Sequence, residues 1–445
     1  MLKVSSACAA SLAFLSLSAL LASCSSSSDA PSAGGGAGGG SNAGANATSG
    51  AAGDVSTGGS VSAAGADDSP VGGAAGAAGA VEPAGDAGAA GGPTQASLAV
   101  GPKLEMGNAV CGITQSGAAY CWGYSANGET GVQGGTPNVP NPVQGGLTFS
   151  TISTYRGHTC ALTPKGAAYC WGDGSFNALG DGLTNGHLVH APVAVTGGLK
   201  FAAITAGDNF TCALTDDGTA YCFGDNRHGE LGLGADDSTA RVTATKVPTL
   251  KWQSISAREK SICGISSAGA AYCWGANGGV QGAGGSPTEF AATPTLVPGG
   301  ALLKVVVTAS TEHACGLTAD GHAYCWGSGA LGDGMAGGVT ALAETAVAGD
   351  HAFTRIAGAL NTFCGVTAAG ATYCWGGAFG NTPTLSFDGI VAGEVATRGV
   401  ATCVVSTVGT AYCLGSNFLG ELGDGTNAAH SVATPVSGDL KFQLP

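Results

Sequence analysis

Fourteen of the sixteen cysteines form seven pairs, and nine residues separate the members of every pair. The pairs are Cys111 and Cys121, Cys160 and Cys170, Cys212 and Cys222, Cys263 and Cys273, Cys315 and Cys325, Cys364 and Cys374, and Cys403 and Cys413. Paired thiols invite three readings: a redox couple, a metal site or a structural bridge. Zinc sites favour ligands two to four residues apart, with His partners at set spacing. Nine intervening residues with no paired His do not match. The residues around each pair favour the bridge. Glycine always stands six residues after the first Cys: Gly117, Gly166, Gly218, Gly269, Gly321, Gly370 and Gly409. Tyrosine always stands just before the second Cys, and Trp, Phe or Leu and then Gly follow it.

A β-hairpin accounts for this spacing. Gln115-Ser116-Gly117 is predicted as a three-residue loop, a type I turn closed by glycine in the left-handed region. Thr114 then faces Ala118, Gly112 faces Tyr120, and Cys111 faces Cys121. Counting alternately from the turn puts the cysteines on a non-hydrogen-bonded pair, where strands come closest. That separation suits a disulfide. Six of the seven Tyr rings face Gly or Ala, read here as cross-strand packing; the seventh faces Val404.

Other chemistry is sparse. There is no H-E-x-x-H, G-x-x-x-x-G-K-[ST] or G-x-S-x-G, so no catalytic residue is assigned. Two overlapping G-x-G-x-x-G matches, Gly327 to Gly332 and Gly332 to Gly337, have no βαβ unit around them. No cofactor site follows from them. Asp181, Asp333 and Asp424 occupy similar Leu-Gly-Asp-Gly turns. Such turns offer carboxylates and carbonyls to calcium, but Asp there more often bonds its own backbone. The latter role is expected, and no metal site is assigned. Of the eight histidines, His158 and His313 precede hairpins at equivalent places; His187, His190, His228, His322, His351 and His430 read as scattered.

The elements that position the hairpins recur every fifty residues or so, with one hairpin per period, the signature of a propeller or solenoid. After each Trp-Gly come a turn-rich loop, a proline and an apolar strand. An aliphatic residue sits eight before the first Cys in six repeats: Ile152, Ile204, Ile255, Val307, Ile356 and Val395. Repeat one has Lys103 there, which predicts an incomplete leading strand. The C-terminal Gly438-Asp-Leu-Lys-Phe-Gln resembles Gly198-Leu-Lys-Phe-Ala-Ala, yet no hairpin follows it. The final strand is therefore expected to join the first repeat, since closure removes exposed edges.

The run GHTCALTPKGAAYCWGDGSFNALGDG, residues 157–182, resembles repeats of the regulator-of-chromosome-condensation type, in a cysteine-bearing version of bacterial secreted proteins. The resemblance covers roughly residues 98 to 445. It implies an all-β fold: a seven-bladed β-propeller of four-stranded antiparallel blades. One disulfide-stapled hairpin would lie in each blade, with the ring closed by the C-terminal strand.

Residues 1–23 read as a signal peptide, with Lys3 ahead of an apolar run. Leu21-Ala22-Ser23-Cys24 resembles a bacterial lipobox, which implies cleavage before Cys24 and acylation of its sulfur. Residues 24–97 are Gly, Ala and Ser with a few acids and no Lys, Arg or aromatic residue. Such a segment cannot bury enough apolar area to offset its ordering entropy. It is a tether, and about 70 coil residues span roughly 45 Å. Residues 98–445 form one repeat domain.

That domain holds 14 of the 15 basic residues and 23 of the 29 acidic ones, which leaves it with nine net negative charges. An acidic domain without a Lys/Arg cluster argues against nucleic acid, whose affinity comes from phosphate neutralisation. Export and paired cysteines point to an oxidising compartment. The resulting expectation is a lipid-anchored, monomeric cell-envelope protein; Ser25 after the cysteine resembles the enterobacterial sorting signal for the outer membrane, which implies that location and exposure at the cell surface. It would bind a protein or surface polymer through variable loops, residues 124–142, 226–246 and 276–294. A hydrolase or lyase on an envelope polymer, or a protein inhibitor of an enzyme, are the alternatives.

Overall fold

Each hairpin folds as its spacing requires. A computed structural model describes residues 101–184, 186–234, 237–276, 290–335 and 339–445. A boundary falls between Asp86 and Ala87, and every described residue lies in the second unit. In the first hairpin, Ala109–Ile113 pairs antiparallel with Ala119–Gly123, with Gly112 opposite Tyr120 and Cys111 opposite Cys121. Gly117 has φ +86°, a conformation glycine adopts without steric cost. The same register recurs in all seven repeats, and all seven cysteine pairs are bonded, with Cα atoms 4.0–4.2 Å apart.

Every hairpin is flanked by an inner strand before it and an outer strand after it. Five sheets have four antiparallel strands in this order, and a sixth has seven. The larger sheet arises because one strand, Arg241–Arg258, serves two repeats. Its first part is the outer strand of repeat three, where Tyr221 faces Lys246. Its last part is the inner strand of repeat four, where Ile255 faces Gly264.

The turn glycine does a second job. Its carbonyl accepts a hydrogen bond from the N–H of the residue that opens the next inner strand. The donors are Phe149, Phe201, Trp252, Leu303, Phe353 and Ala392, for Gly117, Gly166, Gly218, Gly269, Gly321 and Gly370. In repeat seven Gly409 accepts from Phe442 at 2.8 Å. A Cβ at Gly321 would stand 2.5 Å from the Phe353 carbonyl. Backbone approach, as well as φ, therefore demands glycine here.

Repeat one departs from the sequence reading. Its inner strand, Leu104–Met106, is present, and Leu104 pairs with Gly112. Leu104 is buried where Lys103 was counted, because the turn before the hairpin is one residue shorter. In repeat five that turn is one longer, so Val306, not Val307, pairs with Gly316. The early part of the first inner strand comes from the far end of the chain. Phe442 forms an antiparallel bridge with Thr114. Gln443 N donates to Ile113 O at 2.7 Å, and Gln115 N donates to Lys441 O at 2.8 Å.

Aromatic residues fill the space between sheets. Phe442 packs against Trp122, and Phe353 stacks on Trp375 with centroids 5.6 Å apart, each pair within one repeat; the second pair shares a core with Leu317 and Leu331 of the repeat before it. In three repeats the glycine opposite Tyr makes room for an aromatic ring: a Cβ at Gly365 would stand 2.5 Å from the Phe353 ring, one at Gly112 2.6 Å from Phe442 and one at Gly264 2.6 Å from Trp252. Cross-strand packing with Tyr is thus not what holds this position small.

Indole N–H groups latch neighbouring repeats. Trp171 Nε1 donates to Glu129 O, Trp274 Nε1 to Glu230 O and Trp122 Nε1 to Glu421 O, at 2.9–3.0 Å. Removing a buried hydrogen bond of this kind costs about 1–2 kcal/mol. Trp122→Phe should lower unfolding free energy by about that much in denaturant titration; an unchanged midpoint would contradict the latch.

Candidate functional site

Antiparallel order places the inner turn and the loop before the outer strand at the same end of each sheet. The loop at 124–142 therefore stands on the face that carries the inner turns, as does the described part of 226–246. Most of 276–294 lies outside the described residues. On this face is an open cavity of about 390 Å³. Tyr124 and Asn127 come from repeat one, Arg156 and Asp173 from repeat two, Asp208 from repeat three, and Arg398 from repeat seven.

The cavity wall is built from bonded pairs. Arg398 Nη1 donates to Glu421 Oε1 at 2.8 Å, and its Nη2 donates to Asn108 Oδ1 at 3.2 Å. Asn108 Nδ2 donates to Arg156 O at 3.1 Å. The Arg156 guanidinium stands 3.7 Å from Asp208 and 4.0 Å from Glu259. His158 lies beneath, its Nε2 2.8 Å from Thr211 Oγ1. Burial pushes its imidazole down to about 4, so it is neutral at pH 7. His313, at the equivalent place, is also pushed down to about 4 by burial.

Beside the cavity the surface is apolar. Phe418 is 81% exposed and Val400 57% exposed. Leu360 is also exposed, and a Cβ at Gly399 would stand 3.1 Å from it. Phe418 adjoins Leu419 and Val400 lies two residues from Arg398, both of which line the cavity.

The second concavity runs between the inner strands. It has a volume of about 220 Å³ and is lined by residues of all seven repeats, among them Glu105, Arg258, Arg355 and Glu394. Arg258 Nη2 donates to Glu105 Oε1 at 3.0 Å. Hydroxyls of its wall stitch successive strands: Ser153 Oγ accepts from Ala206 N, Thr205 Oγ1 from Ala257 N and Ser256 Oγ from Thr308 N, at 2.9–3.0 Å.

Glu394 is 5% exposed. Burial pushes its carboxyl up to about 8, partly opposed by Arg355 and Lys103 and reinforced by Glu105. Burial raises Glu105 as well, opposed by Arg258, and lowers Lys103. Glu129 in the loop of repeat one is pushed up to about 7 for the same reason. A carboxyl raised in the folded state keeps a proton that the unfolded chain has released. Its contribution is complete below about 4.5 and is lost as pH rises through about 8. Glu394 therefore contributes a fall in stability from pH 5 to pH 8, opposed below about 6.5 by His158 and His313, which stay neutral when folded, and Glu394→Gln should remove its share of that fall. Parallel denaturant titrations across this window check it; equal slopes for both proteins would rule it out.

The aspartate turns behave as backbone caps with an added partner. Asp181 Oδ1 accepts from Leu183 N, and Asp424 Oδ1 from Thr426 N. Asp333 Oδ1 accepts from Met335 N and from Asn381 Nδ2 at 2.6 Å. His187 Nε2 is 2.8 Å from Asp181 Oδ2, and His430 Nε2 is 2.8 Å from Asp424 Oδ2. These two histidines are equivalent, and the sequence signal was there: each lies six residues after its aspartate. No group of three or more His, Cys, Asp or Glu is placed to hold a metal among the described residues. The G-x-G-x-x-G match from Gly332 to Gly337 extends beyond the described residues. Cys24 also lies outside them.

Disulfide-stapled hairpins, four-stranded antiparallel sheets and sheet-to-sheet aromatic packing define a β-propeller. The family model of the regulator of chromosome condensation (RCC1) repeat matches residues 149–178, 201–230 and 305–332, and a second model of that repeat matches 165–214. The chain is an RCC1-type repeat β-propeller. It is 28% identical over 239 residues to the E3 ubiquitin-protein ligase HERC2 of Homo sapiens, covering 50% of this chain and 5% of HERC2. It is 26% identical over 240 residues to the ultraviolet-B receptor UVR8 of Arabidopsis thaliana, covering 52% of this chain and 53% of UVR8. The chain thus spans about half or less of these relatives. Its fold is similar to that in the crystal structure of Kap60 bound to yeast RCC1 (Prp20), with TM-score 0.65 and 20% identity, covering 77% of this chain and 86% of that one. The structure of human WBSCR16 matches with TM-score 0.63 and 16% identity, covering 72% and 94%.

Proposed function

We propose that this protein is a non-catalytic recognition propeller that binds another protein through the face bearing Arg398, Val400 and Phe418. The observation that carries the proposal is the exposure of Phe418 and Val400 beside a cavity whose Arg398 and Asn108 are already bonded. Large apolar side chains around a fixed polar centre are the composition of a protein-binding patch. Variable loops on a rigid scaffold serve recognition. Yeast RCC1 (Prp20) is bound to Kap60 in its crystal structure, and Prp20p has binding properties to Gsp1p and histones. A protein partner is what the proposal carries across; binding to nucleic acid is not, because the domain is acidic.

The reading includes the whole chain. Seven blades form a ring closed by residues 441–443, and residues 24–97 tether the ring to a lipid on Cys24. The anchor puts the protein in a bacterial cell envelope, at the outer membrane. Cys24→Ser should abolish incorporation of labelled palmitate and move the protein out of the membrane fraction; retained label would refute acylation there.

Affinity capture with the disulfide-intact protein tests the recognition face. Phe418→Asp together with Val400→Asp should weaken the captured protein's binding at least tenfold, about 1.4 kcal/mol or more, while thermal unfolding stays unchanged. Equal affinity of the double variant and the parent for that partner would exclude this face.

A further inference from the structure

We infer that the central channel is a binding site for a small zwitterion of amino-acid size, with its carboxylate on Arg355 and its amine on Glu394. This site is separate from the docking face and does not depend on it. The argument begins with register. One residue of each inner strand stands opposite the residue two after the first Cys. Through strand pairing these are Thr151, Ser254, Val305, Arg355 and Glu394, with Ala203 opposite Leu214. Ile113 N donates to Lys103 O, which puts Lys103 at the same level in repeat one. Charge is therefore confined to three consecutive repeats, six, seven and one, and the other four positions are small or uncharged.

Within this group the polar atoms are unevenly satisfied. Lys103 Nζ donates to Ser150 O, and Arg355 Nη1 donates to Thr354 O at 3.0 Å. Two buried atoms have no hydrogen-bond partner in the chain: Arg355 Nε and Glu394 Oε2. Both residues line the channel. Arg258 and Glu105, elsewhere in the same channel, are already paired. An unpaired buried polar atom is costly, more so when charged, so two on neighbouring residues of one channel wall call for a common explanation.

A zwitterion answers both atoms at once. Its carboxylate accepts from the guanidinium N–H, a strong charge-assisted contact. Its ammonium donates to Glu394, whose carboxyl burial holds protonated in the free protein at pH 7 and which releases that proton to solvent on binding. A simple amine leaves Arg355 Nε without an acceptor, and a simple anion gives Glu394 no cation to offset the loss of its proton. The cavity of about 220 Å³ equals about seven waters at about 30 Å³ each, which limits the ligand to a small molecule. Val305 and Val307 in the wall favour a short apolar side chain.

Isothermal titration of the full oxidised chain at pH 7 with each standard L-amino acid tests the site, with acetate and ethylammonium chloride titrated separately. At least one small amino acid should give saturable heat and raise the melting temperature. Acetate and ethylammonium should bind at least tenfold more weakly. Glu394→Gln, which keeps shape, and Arg355→Met should each weaken binding at least tenfold. If Arg355→Met does not fold, Glu394→Gln alone decides. The inference is overturned if no amino acid binds saturably, if acetate binds as well as the amino acid, or if Glu394→Gln binds unchanged.

Discussion

Removing residues 438–445 should destabilise the entire propeller domain, more than any single point substitution in the core. The segment contributes Phe442, buried to 1% exposure, to a core shared by Leu104, Met106, Trp122, Val405 and Leu422. Those residues come from the first and seventh repeats, so the segment cements the two together. Its backbone supplies three bonds: Phe442 N to Gly409 O, Gln443 N to Ile113 O, and Lys441 O from Gln115 N. Phe442→Ala alone should cost about 3–5 kcal/mol, the usual range for a buried aromatic residue. The deletion adds an open sheet edge on repeat one, which invites aggregation. Thermal unfolding with light scattering would show a lower, concentration-dependent midpoint. A truncated protein that melts like the parent would falsify this account.

Reduction should have the second largest effect. Each bridge closes a loop of eleven residues, worth about 2.5–3 kcal/mol in the chain-entropy model. Contributions this local will not sum fully, because each hairpin is also held by its strands. Replacing Cys263 and Cys273 with Ala should cost about 2–3 kcal/mol, and loss of all seven bridges should unfold the domain at moderate temperature. All fourteen bonded cysteines are fully buried. A reductant must therefore wait for local opening. Its rate should rise with dithiothreitol concentration and then plateau at the opening rate. A reduction rate that stays linear in reductant, or a reduced protein as stable as the oxidised one, would contradict this.

The hairpins were legible in the sequence because three local signals agree: turn glycine, cysteine spacing and the Tyr before the second Cys. The register at Cys111 and Cys121 follows from the turn alone. Inner strands were legible only to within a residue. Leu104 and Val306 hold positions assigned to Lys103 and Val307, since turn length between strands one and two varies and leaves no mark in composition. The reason for the small residue at Gly365 was hidden as well, because its neighbour Phe353 approaches from across the sheet. The His187–Asp181 and His430–Asp424 pairs could have been found from their shared offset. Of the channel charges, Arg355 and Glu394 share an offset of nine residues before the first Cys in consecutive repeats, whereas Lys103 joins them only when the first and last repeats meet. The cavity at Arg398 and Tyr124 has the same origin, with walls from repeats one, two, three and seven.

The hydrogen bond from Trp122 to Glu421 joins residues 299 positions apart. Its neighbour, the bond from Gln443 to Ile113, reaches further still. A growing chain that has delivered six repeats already contains every partner its middle hairpins need. The first hairpin, made earliest, must still wait for the seventh repeat and residues 441–443. Contacts this distant along the chain form late and slowly. Until they form, two apolar flanks and an unpaired strand edge stay open to other chains.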